Sequence, residues 1–295
     1  MVHAIGESLY DLTFSDVHQV WACPGGSMLN TTVSLGRRAI PVRFYTEVGN
    51  DRAGKLLCRF LESNNIDICS IRVYDGKTSL AVAFLDENGD ADYEFYPQRP
   101  DASPEFILPE IHEGDIMLFG STYARQPRNH KNIIALAHSI RTGGGLLVYD
   151  PNYRITANNG SEILHLVSTN IGLSDIVRGS DQDFFNLFGV KDGQAAYRKI
   201  QNERSKILIY TRNRDGVDLF TPWFVKHYEV PDLQVVSTVG AGDNFNAGLI
   251  SVLHGMKYIP ETENFWDEAI DQAIIFASEV CASRDNFVNW PLTQS

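Results

Sequence analysis

Short apolar runs alternate with amphipathic stretches along this chain, and that alternation restricts it to an α/β architecture. Leu146 to Tyr149 and Lys206 to Tyr210 read as buried strands, whereas Ile133 to Ile140 and Phe265 to Cys281 read as helices. Helical spacing recurs in Leu56, Leu57, Phe60 and Leu61, directly after Gly49-Asn50-Asp51, which makes Asp51 the expected N-cap. Units of this kind predict a sheet covered by helices on both faces. With 295 residues, 43% of them hydrophobic, and no repeats or linkers, the expectation is one domain over 1–295.

One region breaks the rhythm. Ser79 to Leu85 and Tyr93 to Tyr96 are strand-like and flank a polar turn, Asp86-Glu87-Asn88-Gly89-Asp90, so they predict a hairpin. Together with the alternating stretch from Glu7 to Trp21 it makes a small accessory sheet, its strands drawn from about 7–23 and 71–98. Such an appendage is a natural substrate lid.

A formal charge of −12 argues against a nucleic-acid surface. Cys23, Cys58, Cys69 and Cys281 are scattered, without a Cys-x-x-Cys pair or a His set at metal-ligand spacing, which favours reduced thiols. The segment Met1-Val2-His3-Ala4-Ile5-Gly6-Glu7 lacks the basic and apolar regions of a signal peptide, and no segment approaches a membrane span. A cytoplasmic protein with no nucleic-acid or membrane partner is expected.

The residues that carry chemistry begin with Thr238-Val239-Gly240-Ala241-Gly242-Asp243-Asn244-Phe245. Gly240 and Gly242 let backbone N–H groups approach a ligand without side-chain obstruction. Phe245, Leu249, Ile250 and Leu253 follow at helical spacing, so the turn sits at a helix N-terminus, where partial positive charge favours phosphate. Asp243 falls in the first helical turn, as a base for chemistry on that anion or simply as a capping carboxylate. A dinucleotide fingerprint does not fit, because no glycine follows at 245 and no opening strand precedes the turn.

A second glycine site, Pro24-Gly25-Gly26-Ser27-Met28-Leu29-Asn30, opens another helix and places Asn30 one turn after Gly26. Paired glycines expose backbone to a polar ligand, and an amide both donates to and accepts from hydroxyls. That chemistry suits sugar hydroxyls, although close helix packing uses glycines in the same way.

Taken together, Gly25-Gly26-x-x-x-Asn30, Val48-Gly49-x-Asp51-x-x-Gly54, Asp150-Pro151-Asn152-x-Arg154 and Gly240-Ala241-Gly242-Asp243 resemble the PfkB/ribokinase family of carbohydrate kinases over essentially the whole chain. Ile5-Gly6-Glu7 through Asp11 and Lys77-Thr78-Ser79 support the resemblance. It implies a ribokinase-like doubly wound sheet with helices on both faces, a small β-sheet lid, and transfer of the γ-phosphoryl group of ATP to a primary sugar hydroxyl with Mg²⁺. The resemblance makes Asp243 the catalytic base and the backbone of Gly240, Ala241 and Gly242 the anion hole. It gives sugar contacts to Asp11, Gly25, Gly26 and Asn30, and an acidic or phosphorylated substrate group to Arg154, with Tyr96 and Arg99 reaching the same ligand from the lid. Thr211, Asn213, Gly216 and Asn286 would border the nucleotide. Ser180-Asp181-Gln182-Asp183 aligns with an Asn-x-x-Glu element that organises magnesium through water, which points to Asp183. Lids in this family can also form a homodimer interface, which the apolar strand Ala81 to Leu85 would allow.

Three departures fall on the nucleotide side. Ser237 stands where the family usually has an Asp that helps bind an activating monovalent cation, so potassium activation is in question. Asn213 replaces the glycine of a Thr-x-Gly element, and Asn286-Phe287 replaces a Gly-Ala pair. Because Asp243 and its glycine cradle are complete, the resemblance points to an active sugar kinase, with fructose the first expectation and ribose or a keto-deoxy sugar acid next. A catalytically impaired relative acting as a sugar- or nucleotide-binding sensor or scaffold is the alternative.

Overall fold

The computed structural model describes residues 1–16, 19–85, 91–98, 100, 102, 105–153, 160–201 and 207–290. Its central sheet runs in the order β14 (Val225–Tyr228), β13 (Val217–Phe220), β12 (Ile207–Thr211), β11 (Ile176–Ser180) and β10 (Leu146–Asp150). It continues through β9 (Ile116–Gly120), β1 (Val2–Ile5), β4 (Val42–Gly49) and β5 (Ile66–Asp67), and β6 (Ile71–Tyr74) also pairs with β4. The pairs are parallel from β12 to β5, while β13 and β14 add an antiparallel edge.

Both faces of the parallel strands are buried, which is why they read as continuous apolar runs. Alternation within each strand then divides the core in two. Ile116, Leu118, Leu146 and Val148 face α1 (Ser27–Arg37), α2 (Arg52–Ser63), α8 (Ala241–Leu253) and α9 (Glu263–Cys281). Met117, Phe119, Leu147 and Tyr149 face α3 (Ser121–Ala124), α4 (Pro127–Thr142), α5 (Ser161–Leu173), α6 (Asp181–Phe188) and α7 (Gly193–Ile200). The two layers are the doubly wound arrangement expected. Among the described residues no helix is long and apolar enough to cross a membrane.

The accessory sheet has the order β3 (Gln19–Gly25), β2 (Leu9–Asp16), β7 (Leu80–Leu85) and β8 (Ala91–Tyr96). The stretch read as one alternating segment from Glu7 to Trp21 is two antiparallel strands. The predicted hairpin strands pair antiparallel, Leu80 with Tyr96 through Leu85 with Ala91; the turn 86–90 lies outside the described residues. Ile71–Tyr74 does not join this sheet, contrary to the expected lid range, because its register pairs it with Thr46–Gly49 at the edge of the main sheet. Asp51 caps α2 as expected, accepting from Gly54 N at 2.9 Å. The same carboxylate accepts from Thr78 Oγ1 at 2.7 Å and so ties the helix to the root of β7.

Candidate active site

Parallel strands in a doubly wound sheet direct ligands to their carboxyl ends, where β10 ends in Asp150, β11 in Ser180 and β12 in Thr211. The N-terminus of α8 faces this edge. Gly240 is its N-cap, in a left-handed conformation with φ 80° that residues with a side chain rarely adopt. The helical ladder begins with Asn244 N donating to Gly240 O at 2.9 Å, so the N–H groups of Gly242 and Asp243 precede it and are available to an anion. Asn244 Nδ2 donates to both Gly240 O and Asn286 O at 2.8 Å, locking the turn against the C-terminal segment.

Asp243 is 9% exposed, and α1 supplies its partners. Ser27 Oγ donates to Oδ1 at 2.6 Å, Asn30 Nδ2 donates to Oδ2 at 2.8 Å, and Thr31 Oγ1 donates to the main-chain carbonyl at 2.8 Å. Burial pushes the Asp243 carboxyl above its ordinary range, against the opposing pull of Ser27, Asn30 and Arg178. A carboxylate so placed is a competent proton acceptor near neutral pH. Asn30 Oδ1 is buried without a hydrogen-bond partner among the described residues, which leaves it for a ligand hydroxyl.

Gly26 forms the N-cap of α1, and Gly25 ends β3 opposite Leu9. Asp11 on β2 packs its carboxylate directly on Gly25, at a place where any Cβ would collide with it. The expected sugar residues Asp11, Gly25, Gly26 and Asn30 therefore line one wall, next to Asp243. Tyr96 is 48% exposed at the end of β8, with its hydroxyl bonded to Glu94 Oε2 at 2.7 Å. Arg99 and Arg154 lie outside the described residues.

Thr211, Asn213 and Gly216 form one corner at the end of β12. Asn213 has φ 49°, which explains why asparagine can replace a glycine there, since its short polar side chain tolerates the left-handed region. Asn286 lies beside the cradle, its carbonyl bonded to Asn244 and within contact distance of the space above Gly240. Asp183 is drawn into a capping box of α6: Oδ2 accepts from Ser180 N and Oγ at 2.7 Å, while Oδ1 accepts from Tyr153 N at 2.5 Å. Among the described residues no group of three His, Cys, Asp or Glu is arranged to hold a metal ion.

Sequence reasoning missed the partners of the carboxylates. Arg178, 8% exposed within β11, places NH1 3.0 Å from Asp150 Oδ2 and NH2 3.0 Å from Thr211 Oγ1. Asn246 Nδ2 donates to the same Asp150 oxygen at 2.6 Å. Asp150 is pushed up to about 6, by burial first and by Asp183 and Asp243 in addition. A charge interrupting the apolar run Ile176-Val177-Arg178 was the available signal. For Ser27 it was the i, i+3, i+4 spacing with Asn30 and Thr31, one face of a helix start.

Comparison with known proteins matches residues 1–284 to the pfkB family carbohydrate kinase model. The chain is 27% identical to the aminoimidazole riboside kinase of Salmonella typhimurium over 96% of its own length and 88% of that protein's. It is 29% identical to a probable chloroplastic fructokinase of Arabidopsis thaliana, covering 94% of this chain and 75% of the relative. The crystal structure of aminoimidazole riboside kinase from Salmonella enterica superposes with a TM-score of 0.84 at 26% identity, covering 96% and 94% of the two chains. A fructokinase double mutant from Vibrio cholerae, bound to fructose, ADP and potassium, shares the fold with a TM-score of 0.84 at 21% identity, covering 98% and 94%.

Proposed function

The chain belongs to the pfkB family of carbohydrate kinases and is a phosphotransferase, and we propose that it transfers the γ-phosphoryl group of ATP to a primary hydroxyl of a small sugar, fructose first. The observation that carries this reading is the convergence of Ser27 and Asn30 on the two oxygens of buried Asp243, at the mouth of the α8 anion cradle. Asp11, the Gly25-Gly26 backbone and the unpartnered Asn30 Oδ1 fix the sugar so that its hydroxyl replaces Ser27 on Asp243. Asp243 takes the hydroxyl proton as the oxygen attacks in line, and the N–H groups at the start of α8 bear the charge of the transferring group. Positioned base catalysis contributes roughly 10²- to 10⁴-fold.

Thr211, Asn213, Gly216 and Asn286 border the nucleotide in this reading. Asp183 and Asp243 both lie close enough to act on Asp150, and Arg178 is the cation that opposes them there. That leaves an excess of negative charge suited to Mg²⁺ brought in on nucleotide phosphates and water, with Asp183 holding it through a water. When bound, the ion neutralises charge on the phosphate oxygens.

Relatives that are kinases of fructose and of aminoimidazole riboside support a small sugar or riboside as the substrate class. ADP release from ATP and Mg²⁺ is measured on fructose, ribose, aminoimidazole riboside and keto-deoxy sugar acids, with Asp243→Ala as the control. Turnover on one sugar, absent in the variant, establishes the reaction. Thermal stabilisation by a sugar without turnover assigns a binding role instead.

A further inference from the structure

Arg178 is a buried cation whose position the cradle itself dictates. A Cβ on Gly242 would lie 2.6 Å from its NH1 and 3.0 Å from its NH2, so the guanidinium packs flat against the backbone of the second cradle residue. Its carbon stands 5.5 Å from the centroid of the Phe245 ring, one turn further along α8. NH1 and NH2 reach Asp150 on β10 and Thr211 on β12, while Nε is buried with no hydrogen-bond partner among the described residues. One side chain thus joins three elements of the site, and its charge lies one glycine away from the N–H groups that meet the anion.

We propose that Arg178 is the positioning residue of this site: a fixed cation behind Gly242 that holds the cradle, Asp150 and Thr211 in one arrangement and sets the charge beside Asp243. The proposal rests on the kinase reading above. Hydrogen bonding alone would not require a guanidinium here, since Asn246 already donates to Asp150. What only a cation supplies is charge, and it acts on the carboxylates around it. Asp243 is bonded by Ser27 and Asn30 from α1 and feels the charges of Arg178, from β11, and Glu7, after β1. Asp150 is faced by Arg178, Asn246, Asp183 and Asp243.

The test compares Arg178→Gln with Arg178→Lys, each checked for folding by its thermal transition. Arg178→Gln is expected to lower kcat at least about tenfold with little change in the sugar KM, because the cation acts on the transferring group and the base. Removing a positive neighbour raises a carboxyl pKa, so the acid limb of the pH–rate profile moves up. Arg178→Lys retains charge and returns the limb toward its original pH. Equal losses in both variants with an unmoved limb would make Arg178 a purely structural strut and overturn the proposal. A readout without turnover is the Asp243 titration followed by carboxyl ¹³C NMR, where Arg178→Gln shifts the midpoint up and Arg178→Lys does not. Absence of turnover in the unmodified protein counts against the kinase reading, whereas an unmoved Asp243 midpoint counts against Arg178.

Discussion

Ser27 Oγ lies 2.6 Å from Asp243 Oδ1, a hydrogen bond between residues 216 positions apart. It joins the starts of two helices, α1 after Gly25-Gly26 and α8 after Gly240. In the proposed reaction Asp243 is the base, and an incoming sugar hydroxyl exchanges one O–H donor on it for another. Such an exchange is nearly isoenergetic, so the base is kept solvated by protein until the substrate arrives.

Replacing Asp243 with Asn keeps the shape of this contact and removes the proton acceptor. The expected loss in kcat is roughly 10²-fold or more, with sugar binding by calorimetry retained. In the unmodified enzyme the base must be ionised, and burial raises its pKa, so activity falls as pH drops through a limb lying above about 4, the ordinary carboxylate range. A limb at or below that value would remove Asp243 from the role of base.

Ser27→Ala and Asn30→Ala separate two contributions. Ser27 donates only to the base, so its loss raises the Asp243 pKa and moves the acid limb upward with a modest change in sugar KM. Asn30 donates to the base and also carries the free Oδ1, so its loss adds a rise in sugar KM of about tenfold, the value of one buried hydrogen bond. Steady-state kinetics across pH read both effects, and identical behaviour of the two variants would mean that Asn30 Oδ1 meets no substrate.

Ser237 bears on cation dependence. Its hydroxyl accepts from Val239 N at 3.2 Å within its own turn, and no carboxylate stands at that position. Turnover is therefore expected to be the same in potassium as in sodium at equal ionic strength. A rise specific to potassium would show that other ligands build the cation site.

The layered sheet was legible because both faces of its parallel strands are buried, leaving apolar runs such as Leu146 to Tyr149 that cannot be mistaken for surface. The cradle and Asp51 were legible because caps and turns are local: their glycines and acceptors lie within a few residues of the groups they serve. The pairing of Ile71–Tyr74 with β4 was not, since an exposed four-residue strand carries no periodicity that distinguishes the lid from the main sheet. Nor was the link from Arg178 to Asp150, which depends on two strands lying side by side. Asp183 shows the converse limit: its spacing from Ser180 is equally that of a capping box and of a phosphate-organising motif, and the capping box that forms satisfies the first without testing the second.

Asp51 tests whether the lid is anchored by the body. It accepts from Gly54 N as a helix cap and from Thr78 Oγ1 and N at the root of β7, so one carboxylate serves stability and lid position together. Burial opposes its ionisation, but the three donors outweigh that and hold its pKa below the ordinary value. A depressed pKa means that the native state binds its proton less readily than the unfolded chain; the stabilisation is complete above about 4 and is lost as pH falls through the native value. Asp51→Ala should lower stability by about 1 kcal/mol at neutral pH, as for other lost caps. The gap from the unmodified protein in chemical denaturation should narrow toward pH 3. Asp51→Asn keeps an acceptor for the cap and separates the roles. If the lid depends on this anchor, Asp51→Ala raises the sugar KM beyond what the stability loss explains, because a loosened β7 closes less often over the bound sugar. An unchanged KM with the expected stability loss would confine Asp51 to capping α2.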